Sequence, residues 1–153
     1  MVSELQQYST NLYDTDYNLW LKETVKKLQK KDFETIDLEN LIEEVLDLSR
    51  RQKKKLKNLL IKLFEHLLKL AYWQVEKEYN QGHWQGEILT FRQQINDELQ
   101  DSPSLKPYLS DIFGECYQKG KAIASKRSQL PPDTFPPSPI GNLEQILNED
   151  WLP

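Results

Sequence analysis

The chain has 153 residues, a mass of 18.2 kDa and a formal net charge of -4, which fits a single domain able to bury roughly 70% of its unfolded surface. Four Trp, seven Tyr and five Phe against five Gly exclude a disordered chain, because so many large side chains demand a core. The acidic balance excludes attraction of the whole surface to nucleic acid or an anionic membrane, and a lone cysteine, Cys116, excludes an intramolecular disulfide and a cysteine-based zinc site while fitting the cytoplasm.

Residues 1–12 read as a loose lead-in, and the polar stretch Met1 to Thr10 lacks the basic start and apolar run of a signal peptide. Asp14 or Thr15 is then placed to cap a first helix, whose apolar positions Tyr17, Trp20, Leu21, Val25 and Leu28 recur at three and four and which ends near Lys30. Asp37 caps a second helix with Leu38, Leu41, Ile42, Val45 and Leu48 on one face and Glu39, Glu43, Glu44 and Asp47 on the rest.

No Gly or Pro follows until after Gln81, and the apolar phase runs on through Leu56, Leu60, Leu63, Leu67 and Leu70. The pattern therefore permits one helix of roughly 65 Å. Carboxylates cluster before position 48 and bases after it, however, the charge order of a helix that is ending, so a break is expected near Ser49, separating 37–51 from 52–80. The window Leu59 to Trp73 is broken by Lys62, Glu65, His66 and Lys69, which makes it a buried core helix rather than a membrane span.

Gly82 and Gly86 suggest a turn flanked by an aromatic cluster of Tyr72, Trp73, Tyr79 and Trp84. Ile88, Phe91, Ile95 and Leu99 then mark another helix. Ser102 to Ser104 restarts the chain into a last long stripe from Leu105 to Ala124, with Pro107 placed to kink its first turn. Five of the eight prolines fall between Pro131 and Pro139, a stretch that reads as extended without helix or sheet, so 129–153 is a Pro-rich strap docking on the bundle, its end, carrying Leu143, Ile146, Leu147, Trp151 and Leu152, forming a terminal helical turn. The expected fold is all-α, a compact four- to five-helix bundle in a single domain over 1–153.

Chemistry-bearing constellations are sparse. Arg50, Arg51, Lys53, Lys54, Lys55 and Lys57 form a basic run suited to phosphates, yet no aromatic is interleaved with it and the nearby carboxylates offset it. Glu43, Glu44 and His66 suggest a metal or general-base site between helices, but His66 and His83 have no Glu three residues earlier and no HExxH is present. His66 on an apolar stripe reads as an interior histidine and Cys116 as a core residue, and with no Gly-rich loop there is no phosphate cradle. No metal and no cofactor are expected.

The ordered segments Tyr13-Asp14-x-Asp16-Tyr17 with Trp20-Leu21, Leu41-Ile42-Glu43-Glu44, His66-Leu67-Leu68-Lys69, then Trp84, Ile88 and Arg92, Ser102-Pro103-Ser104-Leu105 and the closing Pro153 resemble the bacterial family called domain of unknown function 29. Two positions depart from its pattern: Ser49 stands where the family often has Gly, and Gly120-Lys121 where it often has an Ala-Arg pair. The resemblance implies an all-helical bacterial cytoplasmic protein and brings no activity, substrate or catalytic residue with it. The expected function is thus a small interaction or regulatory module that binds another protein or itself, with Glu43, Glu44, His66 and Arg92 pairing at helix interfaces. The alternatives are a hydrolytic or metal-assisted enzyme at His66, Glu43 and Glu44, and nucleic-acid binding through 50–57.

Overall fold

The computed structural model describes residues 12–153, so all but the last position of the expected lead-in over 1–12 lies outside the described residues. The described residues contain helices and no strand, in line with the all-α expectation. After a helical turn at 12–15 come α1 (Tyr17–Gln29), α2 (Leu38–Tyr72), α3 (Gln74–Asp101), α4 (Lys106–Ser128) and α5 (Leu143–Leu147), with 3₁₀ turns at Pro103–Leu105 and Pro132–Thr134. The chain divides into two compact units, one up to Arg51 and one from Gln52 to Pro153, and α2 contributes to both.

In the first unit the cap of α1 is Asp16 rather than Asp14 or Thr15, its carboxylate accepting from the Leu19 N–H at 3.0 Å. The helix stops at Gln29 because Lys31 takes a left-handed conformation, φ 58°, and its amide turns back to the Leu28 carbonyl. Asp37 caps α2 as expected, accepting from the Asn40 N–H at 3.4 Å and its side-chain amide at 2.7 Å. Tyr13, Tyr17 and Trp20 form a ring cluster, Tyr13 lying edge-on to Trp20 at 4.8 Å.

The break expected near Ser49 does not occur, since α2 is one helix of 35 residues, roughly 52 Å long. The charge order that suggested an end instead ties the turns together across Ser49: Arg50 reaches Asp47 at 3.0 Å and Glu43 at 3.4 Å, and Arg51 reaches Asp47 at 4.0 Å. Carboxylates three and four residues before a base pair along a helix surface as readily as they announce its end.

The real reversal is Trp73, one residue with φ -91° and ψ 70° between two long helices. Gly82 and Gly86 make no turn; both lie inside α3, and a Cβ added at either would meet nothing within 4 Å. Trp73 instead stacks on Trp84 at 5.5 Å, and the pairs Gln52–Ser102, Lys55–Glu98, His66–Phe91 and Lys69–Trp84 show α3 running antiparallel to the second half of α2. The helix continues through the glycines because their cost, about 1 kcal/mol each against Ala, is small beside the burial of Trp84, Ile88, Phe91 and Ile95.

Pro107 sits in the first turn of α4, where no N–H is needed, and does not kink it. This helix runs parallel to α2, as the pairs Lys57–Glu115, Phe64–Tyr117 and Glu65–Arg127 show. Closest approach falls at Gly120, where a Cβ would stand 2.8 Å from the Phe64 Cβ and 2.9 Å from the Ile61 carbonyl oxygen. Leu60, Leu63, Phe64 and Leu67 of α2, Ile95 of α3 and Leu109 of α4 are fully buried between these helices.

The proline-rich strap is held by its carbonyls, the Tyr117 hydroxyl donating to Pro136 and the Gln118 amide to Pro137 at 3.0 Å. It is not wholly extended, because Pro132–Thr134 makes a 3₁₀ turn before Phe135 is buried against Tyr72. Asn142 and Gln145 form a capping box for α5. Arg92, fully buried, donates to the carbonyls of Ile146 and Trp151, each at 2.7 Å, and Asn96 donates to Leu147 at 3.2 Å. These donors satisfy the carbonyls that a helix end leaves open.

Candidate functional site

Glu44 accepts from two phenols, Tyr13 at 2.6 Å on one oxygen and Tyr17 on the other. The two hydrogen bonds hold its carboxyl below the usual range and push Tyr13 up to about 12, since each favours the protonated phenol beside a charged carboxylate. Glu43, in contrast, is exposed and paired with Arg50. The first unit therefore uses one carboxylate as a clamp between α1 and α2 and the other as part of a surface ion pair.

His66 lies in the second unit, where its Nδ1 donates to the Lys62 carbonyl at 2.8 Å and its ring meets Phe91 edge-on at 5.1 Å. Burial, reinforced by the Lys69 charge, pulls its pKa below the ordinary value, so the neutral ring is the form the fold keeps. That ring has no proton left on Nε2 and serves as packing with one hydrogen bond. Glu43 and Glu44 belong to the first unit and His66 to the second.

Next to it the structure assembles a charged cluster that sequence reading named only as interruptions. One carboxylate oxygen of Glu65, a residue 2% exposed, lies 3.0 Å from the Lys69 ammonium, 3.4 Å from the Arg127 guanidinium and 3.9 Å from the His66 Nδ1. Lys69, itself 5% exposed, also lies 5.5 Å over the Trp84 ring. The signal that could have found it is the spacing of Glu65 and Lys69, a Glu-to-Lys pair at four in a stretch from Leu63 to Leu70 that is otherwise apolar but for His66. Among the described residues no group of three His, Cys, Asp or Glu stands together to hold a metal ion.

The basic run is largely engaged within the protein. Arg50 and Arg51 pair with Asp47, Lys53 lies over the Tyr108 ring at 5.5 Å, Lys55 meets Glu98 at 2.6 Å and Lys57 meets Glu115 at 2.9 Å. Among the described residues Lys54 is exposed with no ion pair. Cys116 is buried, its Sγ 3.8 Å from the Lys57 carbonyl, and burial pushes its thiol up to about 11, the signature of an inert core cysteine.

What remains open is apolar. Leu38, Ile42, Val45, Leu46 and Leu48 are between 45% and 64% exposed, although the same period of three and four places their equivalents further along α2 in the core. Half-buried Leu41, Glu44 and Asp47 occupy the neighbouring side of the helix, and there Tyr13 and Tyr17 engage Glu44. Among the described residues of the first unit only Trp20 and Thr24 are buried. Neither is any helix of the described residues long and apolar enough to cross a membrane.

Comparison with known proteins places residues 12–152 in one match, to the family model described as Domain of unknown function DUF29. No curated protein and no solved structure matches the chain.

Proposed function

We propose that this chain, which belongs to the DUF29 family of unassigned function, is a helical protein-association module whose working surface is the apolar face of α2 between Leu38 and Leu48. The observation that carries it is the exposure of Leu38, Ile42, Val45, Leu46 and Leu48 on one helix segment. Isolated exposed apolar residues need no explanation, whereas Leu38, Ile42 and Val45 in line on consecutive turns, with Leu46 and Leu48 on the two flanks, are the pattern of an interface. Covering them contributes about 1 kcal/mol each, since each is already half shielded.

The second unit supports the same reading by what its polar groups do. Arg92 secures the tail, Glu65 and Lys69 neutralise one another, and His66 is held neutral by burial, so these residues act in the fold rather than on a substrate. In this reading the module belongs to the bacterial cytoplasm, where the lone buried Cys116 stays reduced. The test is native mass spectrometry of the protein gently purified at low salt from its own cells, beside a Val45→Glu variant. A protein companion or second copy present in the first and lost in the second supports the module. The same mass in both, with helicity unchanged, refutes it.

A further inference from the structure

We infer that the open face of α2 pairs antiparallel with the same face of a second copy, about a two-fold axis near Val45 and Leu46. This rests on the association reading above and adds the identity of the occupant. At helical spacing Leu38, Ile42, Val45 and Ser49 lie along one line, with Glu39, Glu43, Leu46 and Arg50 flanking it on one side. Charge along that flank is ordered, with carboxylates at Glu39 and Glu43 before the midpoint and a guanidinium at Arg50 after it.

That order decides the pairing. A parallel copy turns this flank toward the opposite side of its mate, where Tyr13 and Tyr17 already engage Glu44, and an antiparallel copy centred a turn earlier, on Ile42, brings Glu39 and Glu43 together. Centred near Val45 and Leu46, the antiparallel arrangement places Glu43 opposite Arg50 of the second copy twice over, as a two-fold interface requires. Steric fit points to the same register: Ile42 of each copy then falls over Ser49 of the other, a large side chain against a small one, while the apolar side chains of Val45 and Leu46 meet across the axis. Arg50 is free to serve, because its partners within the chain, Glu43 and Asp47, lie on an exposed surface where such pairs exchange at little cost.

The experiment is sedimentation equilibrium of the purified full chain, alone and as Val45→Glu, Glu43→Lys and Arg50→Glu variants. Expected are a dimer for the natural chain, a monomer for Val45→Glu with unchanged helicity, and association weakened about tenfold in each charge variant. Mixing Glu43→Lys with Arg50→Glu restores association as a heterodimer; that rescue cannot come from the intrachain Glu43–Arg50 pair, which stays repulsive in both chains. A natural chain that is monomeric at every concentration overturns self-pairing, as does a dimer indifferent to Val45→Glu or to the charge variants. A monomer that still carries a protein companion, lost in Val45→Glu, overturns self-pairing and leaves the association reading standing; a monomer with no such companion removes both.

Discussion

The two halves of α2 share a helix, a period and a preference for leucine, yet from Leu59 to Leu70 nearly every residue is buried, whereas from Leu38 to Arg51 none is. In the second half α3 and α4 lie on either side, and even Glu65, His66 and Lys69 are drawn out of water. In the first half α1 reaches the helix on the side of Glu44, and the apolar line beside it stays wet. Amphipathic pattern therefore reports a capacity to be covered, and whether a face is core or docking surface depends on which elements the rest of the chain supplies.

The sharpest way to break the comparison is with charge. Lys69→Ala strands the Glu65 carboxylate in the core without its nearest cation and is expected to cost about 3–5 kcal/mol in urea unfolding, whereas Lys54→Ala, on the exposed stretch, leaves the midpoint in place. Leucine gives the next test: Leu60→Ala, fully buried, should cost about 2–5 kcal/mol. Leu38→Ala, at 60% exposure, should change stability by less than about 0.5 kcal/mol.

Glycine sharpens the contrast within the second unit. Gly120→Ala pushes a methyl into Phe64 and the backbone of α2 and is expected to lose about 1–3 kcal/mol, while Gly82→Ala, facing open space, should gain about 0.5–1 kcal/mol. Thermal unfolding with opposite shifts would confirm both.

The smallest effects are in pH. His66 has a lowered pKa, so its contribution is present above the ordinary value of 6.5 and is lost as pH falls below it. Glu44 is lowered too, and its contribution is lost only below 4.5. Tyr13, raised to about 12, loses its contribution as pH climbs from 10.0. Hydrogen exchange resolved by peptide should accordingly show the second unit loosening before the Tyr13–Glu44 clamp on mild acidification; simultaneous loosening of both units below pH 6 would contradict this.

Much of this was legible in the chain: the all-α class, the Asp37 cap, the end of α1 and the core stripe from Leu56 to Leu70 follow from spacing alone. The continuity of α2 was not, because an acid-then-base order is written identically for a helix that ends and for one whose side chains pair across the turn. Gly82 and Gly86 misled for a related reason, since tolerance of glycine inside α3 depends on Trp84 and Ile88 being buried, which one sequence cannot report. Of the candidate site residues, Glu44 was visible as a motif member but not as a clamp for two phenols, and Glu65 was hidden among apolar neighbours. The openness of Leu38 to Leu48 was invisible, as pattern shows an apolar face and never its cover.

Arg92 also imposes an order in time. Its guanidinium is synthesised 54 residues ahead of the Ile146 carbonyl it serves, a lag of roughly 3–10 s at ordinary rates of translation. Throughout that interval water alone accepts from the guanidinium, and closing α3 over it would bury a charge without its two carbonyls. Closure of the second unit's core around Arg92 is thereby tied to the docking of a segment that the chain makes much later.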